Sequence, residues 1–100
     1  MNKTVTVDIP HRLGLAGARA RIDGGIDKIA SYIPGASVTS QRWDGDTMLF
    51  TISAMGQTIA SRLDVQGDKV QAALDLPMML AMFAEKAKEM LQQGGQKLLR

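Results

Sequence analysis

The sequence contains no cysteine, which excludes disulfides and thiolate metal sites. It has a single histidine, His11, too few nitrogen ligands for a zinc site of the usual kind. Only four residues are aromatic: Tyr32, Trp43, Phe50 and Phe83. A sheet that reads RNA by stacking would need more of them. No segment approaches the ~20 apolar residues that span a bilayer, and "MNKTVTVDIP" lacks the apolar stretch of a signal peptide. Twelve Lys and Arg are interspersed with ten Asp and Glu, giving a net charge of +2 without a basic tail. These absences predict a cytoplasmic protein with no transmembrane segment, no nucleic-acid partner, no metal and no cofactor.

What is present is one domain's worth of periodic sequence, residues 1–100, with a modest core. Lys3–Ile9 alternates, with Val5, Val7 and Ile9 on one side, as a half-buried strand does. From Leu13 to Tyr32 the period becomes helical. Leu15, Ala18, Ile22, Ile26, Ile29 and Ile33 form its apolar stripe, and "IPG" at Ile33–Gly35 ends it. Gly17, Gly24 and Gly25 lie off that stripe, and a kink is expected near Gly24 and Gly25.

Gly45, Gly56 and Gly67 then separate four runs of period two: Ser37–Trp43, Thr47–Ala54, Gln57–Val65 and Lys69–Leu76. Short glycine turns imply antiparallel hairpins. Pairing across them matches Val38 with Ile52, Ile52 with Ile59, Met48 with Leu63 and Val65 with Val70, all on one face. A slip of one residue would expose that set. Trp43 falls on the other face. "LPMMLAMFAEKAKEMLQQ" reads as a second helix capped by Asp75, with Met79, Leu80 and Phe83 toward the sheet. "GGQKLLR" reads as a frayed tail over residues 93–100, although Leu98 would prolong the stripe. The order βαββββα, with one apolar sheet face, predicts a two-layer α+β sandwich in which both helices cover an antiparallel sheet.

No catalytic constellation accompanies these elements. His11 lacks a local nucleophile and is read as a residue that turns the chain from strand to helix through a contact to nearby backbone. Arg19 is expected to pair with Asp23 four residues on. Asp44 and Asp46 in "WDGDT" are too few for a calcium loop and are explained by an Asp-Gly turn. One oddity remains. Met78, Ala81 and Met82 make the second helix apolar on its outward side as well. Either the first helix or a loop covers them, or a second copy of the chain or an apolar surface does.

The landmarks in order resemble a known family. "HRLGLAGAR", "RWDGDTMLFTISAMGQTIASRLDV" and "DLPMMLAMFAEKAKEML" are similar to the polyhydroxyalkanoic acid system family. That resemblance implies a small bacterial protein linked to storage polyester, acting at the granule surface or on granule proteins. His11, Leu13, Gly14 and Arg19 match its motif without an implied role. The expected function is non-enzymatic association through Met78, Ala81 and Met82, with a homodimer as one form. The alternative is an acyl-type ligand held in an apolar pocket lined by Phe50, Ile52, Leu63 and Phe83.

Overall fold

The computed structural model describes residues 3–31 and 35–99, without the side chains of residues 29 and 30. Five strands form one antiparallel sheet: β1 (Lys3–Pro10), β2 (Ser37–Asp44), β3 (Thr47–Ala54), β4 (Gln57–Val65) and β5 (Lys69–Leu76). Their order is β1-β5-β4-β3-β2. The first strand therefore pairs with the last, and helix α1 (Gly14–Ala30) carries the chain from one sheet edge to the other. A 3-10 helix, η1 (Met78–Phe83), leads directly into helix α2 (Ala84–Leu98). The fold is α+β in the order βαββββα.

The sheet register follows from side-chain alternation. Val38 pairs with Ile52, Ile52 with Ile59, Met48 with Leu63 and Val65 with Val70, the pairs expected from the sequence. These side chains are buried, apart from half-buried Val38. With Val5, Val7, Ile9, Phe50, Leu74 and Leu76 they form the sheet's half of the core. Fully burying one such side chain stabilises by about 1.5–3 kcal/mol. From the helical layer, Ala18, Ile22, Ile26, Leu80, Ala84, Ala87 and Leu91 complete it. Helix α2 lies against β1, while α1 lies toward β2 and touches α2.

Several expectations are corrected. The register shifts between Val38 and Ser40, so Thr39 is an extra residue in β2. A bulge changes the phase of everything after it. Trp43 consequently sits opposite buried Met48, on the helix-covered face rather than the open one. Leu15 is exposed, because it lies on the first helical turn, beyond the reach of the sheet. The expected stop at Ile33 and Pro34 lies outside the described residues, as does the side chain of Ile29.

The chain's end is not frayed up to residue 99. Helix α2 continues to Leu98, and Gly94, Gly95 and Leu99 are buried. The two glycine contacts explain why. A Cβ on Gly95 would collide with Ile9 Cδ1 of β1, and a Cβ on Gly25 would collide with Leu98 Cδ1. Glycine here lets α2 approach β1 and α1 closely enough to bury the tail. Asp75 is not a helix cap: it lies in β5 opposite Thr4 and Ala60, and Pro77 occupies the N-cap position of η1.

Candidate functional site

The residues expected to form the apolar surface sit at the junction of β5 and α2. Pro77 has φ −58° and ψ 157°, and the Leu80 N–H donates to its carbonyl over 2.8 Å. That i to i+3 bond starts a 3-10 turn rather than an α turn. In a 3-10 helix, side chains three apart eclipse each other, so η1 has three ridges. Leu80 and Phe83 share the ridge nearest the sheet, while Met79 stands above Met82 and Met78 above Ala81. Only Leu80 is buried.

This geometry corrects the expected helix face. At α-helical spacing, Met79 and Phe83 would join Leu80 against the sheet. Instead Met79 is 70% exposed and Phe83 47%. Met78 and Met82 are 66% and 83% exposed, and Ala81 is half-buried. Met78 and Met82 are therefore not covered by the first helix or by a loop among the described residues.

The β3–β4 turn adds a residue the sequence analysis did not single out. Ala54 pairs with Gln57, so the turn consists of Met55 and Gly56 alone. Both have positive φ, 52° and 72°. Such two-residue turns normally use Asn or Gly, because a left-handed backbone costs other residues about 1–2 kcal/mol. Here methionine stands at the first position with its side chain exposed. The signal in the sequence was "AMGQ": a large apolar residue where a hairpin favours asparagine. Gln57 Nε2 donates weakly to Met79 Sδ over 3.5 Å, which sets this turn beside η1.

Between them lies a cavity of about 110 Å³ with an apolar lining. Ala54, Ile59 and Leu76 form its sheet side, and Leu80, Phe83, Ala87 and Met90 its helical side. Met55 and Lys86 stand at the same cavity. The four residues expected to line an apolar pocket do not meet there. Phe50, Ile52 and Leu63 are packed in the closed core, and only Phe83 borders the cavity. A larger groove of about 470 Å³ separates α1 from α2, bordered by Arg21, Lys28 and Lys97. Arg21 and Lys97 already have interaction partners.

The motif residues are placed together elsewhere, and their geometry accounts for them. His11 is buried; its Nδ1 accepts from the Leu13 N–H at 3.1 Å, and its Nε2 lies 3.1 Å from the Gln66 carbonyl. That pair of bonds fixes the tautomer, with the proton on Nε2. The His11 N–H also donates to the Asp68 carbonyl at 2.9 Å. His11 thus ties the start of α1 to the β4–β5 turn, as a backbone-contacting residue should. Leu13 packs against the core, and Gly14 begins α1 at φ 71°, a conformation that favours glycine.

Arg19 does not pair with Asp23. Its guanidinium lies 4.4 Å from the Trp43 ring centroid, and its Nη1 is 3.3 Å from Asp46 Oδ1. Asp23 accepts instead from Trp43 Nε1 at 3.0 Å. The β2–β3 turn consists of Gly45 and Asp46, with positive φ at Gly45 only, and it is the Asp46 carboxylate that meets Arg19. Among the described residues, no group of three acidic or histidine side chains could hold a metal ion. No helix of these residues is long and apolar enough to cross a membrane.

Against this geometry, the comparison with known families is decisive over nearly the whole chain. Residues 5–99 match the family described as "Putative polyhydroxyalkanoic acid system protein". The chain belongs to that family. The match contains the His11–Arg19 motif, the Met55 turn, η1 and α2 of this polyhydroxyalkanoic acid system protein. No curated protein matches the chain.

Proposed function

We propose that this chain is a non-enzymatic accessory protein of polyhydroxyalkanoate storage metabolism. It works in the cytoplasm and lays the end of its fold built from the Met55 turn and η1 on the surface of the polyester granule. One observation carries this reading. Of the six exposed large hydrophobic side chains among the described residues, five belong to that end: Met55, Met78, Met79, Met82 and Phe83. Exposed hydrophobics scattered singly need no explanation, whereas a gathered set marks an interaction surface. Four of the five are methionine, whose flexible, polarizable chain conforms to an irregular apolar surface better than a branched side chain does. Membership of the polyhydroxyalkanoic acid system family supports polyester as the surface it meets.

The test is co-sedimentation with protein-free amorphous polyester particles. The wild-type chain binds, and the double variant Met78→Glu/Met82→Glu loses about 100-fold in affinity, from two apolar anchors of roughly 1.5 kcal/mol or more each. Both positions are exposed, so the variant keeps its fold. Solution mass is read in parallel. A wild-type dimer that the double variant turns into a monomer, with particle binding unchanged, would assign the surface to a second copy and defeat the proposal.

A further inference from the structure

The small cavity beside the methionines differs from the flat surface around it in having a charged group at its edge. Its lining exposes no polar surface, yet Lys86 borders it, and Lys86 forms no hydrogen bond or ion pair among the described residues. A lysine stem can lie along the apolar wall while its ammonium stays at the water boundary. The combination is an apolar pocket, partly open to solvent, with one lysine in its lining. Apolar cavities of about 150 Å³ take a benzene ring, so 110 Å³ takes about four carbons.

We propose that this cavity is a binding site for a short branched carboxylate: its alkyl branch enters between Phe83, Ala87 and Met90, and its carboxylate pairs with the Lys86 ammonium. This inference deepens the polyester reading and rests on it for the ligand class. A hydroxyalkanoate unit has both features, an alkyl branch on the chain and a carboxylate where the chain ends. The same chemistry is offered by a free hydroxyalkanoic acid and by the terminal unit of a polymer chain. Phe83 is half exposed at the edge of the cavity, and Ala87 presents only a methyl group to it.

The probes are 3-hydroxybutyrate, 3-hydroxyhexanoate and 3-hydroxyoctanoate, titrated into the full chain and followed by NMR of the methionine methyls. Met90 and Met55 signals shift, and affinity rises about fourfold per methylene until the branch exceeds about four carbons. Methyl esters of the same acids bind more weakly, and Lys86→Gln removes that difference. Ala87→Leu fills the cavity and abolishes the shifts. Ala87→Leu leaves Met78 and Met82 untouched, so it still co-sediments with polyester particles. Identical affinities for acid and ester, or no dependence on branch length, would overturn the site whether or not Ala87→Leu folds.

The two readings fail separately. Acids that bind a chain unable to sediment with particles leave the cavity standing and remove the granule surface. Particles that bind while no acid shifts Met90 remove the cavity alone. Saturating 3-hydroxyhexanoate that weakens particle binding assigns the site to polymer chain ends; acid binding without such competition assigns it to the free acid.

Discussion

The Arg19 guanidinium stacks on the Trp43 ring, 4.4 Å from its centroid, and the two residues come from opposite layers of the sandwich. Arg19 reaches on to Asp46 and Trp43 bonds Asp23, so α1, β2 and the β2–β3 turn are joined through four side chains. A bulge in β2 makes this possible by bringing Trp43 to the helical side.

The pair should be measurable as a coupling. In a double-mutant cycle of Arg19→Ala and Trp43→Leu, read by urea denaturation, the expected interaction is about 0.5–1 kcal/mol, since the groups are only partly buried. Additive losses would mean that the stack contributes nothing to stability.

His11→Ala should cost about 2–3 kcal/mol. It leaves the Leu13 N–H and the Gln66 carbonyl without their partners at a buried position. The measurement is the urea midpoint at constant m-value. Polyester co-sedimentation of the folded variant should be unchanged, because His11 is remote in role from the Met55 turn and η1.

Glycines within the helices should divide by what their Cβ would meet. Gly24→Ala meets nothing within 4 Å and should stabilise by about 1 kcal/mol through helix propensity. Gly95→Ala gains the same propensity but drives a methyl into Ile9, which is 1% exposed and has no room to move. Overpacking of about 1–3 kcal/mol then wins, and the variant should melt below the wild type. Equal shifts for both would contradict the close approach of α2 to β1.

Met55 holds a left-handed backbone at a two-residue turn. Met55→Asn should therefore raise stability by about 0.5–1 kcal/mol while weakening particle binding. Stability and binding moving in opposite directions is the signature of a residue kept for a surface rather than for the fold.

Much of this architecture was legible because period-two alternation and glycine spacing fix the strands independently of anything distant. The pairs Met48–Leu63 and Val65–Val70 follow from turn length alone, whereas Val38 meets Ile52 only because the bulge at Thr39 shifts the register of β2 by one. The misreadings have specific physical origins. Thr39 is an ordinary strand residue, and nothing in its neighbours announces the bulge that turns Trp43 inward. "MMLAMF" fits a helix at either 100° or 120° per residue, and Pro77 selects the tighter form, which frees Met79. Residues 94 and 95 look like a helix end locally, and only the distant Ile9 gives them a reason to be helical and buried. The exposed character of Met78 and Met82 was visible as an apolar residue on an outward face; the contribution of Met55 required the hairpin and η1 to be brought together in three dimensions.

The most direct test of the polyester surface is a footprint of methionine oxidation by dilute peroxide, read residue by residue by mass spectrometry, with and without protein-free polyester particles. Met48, 1% exposed, serves as the slow internal reference. Bound particles should slow oxidation of Met55, Met78, Met79 and Met82 together, several-fold, while Met48 does not change. Particle binding that leaves those four at their free rates would contradict the account.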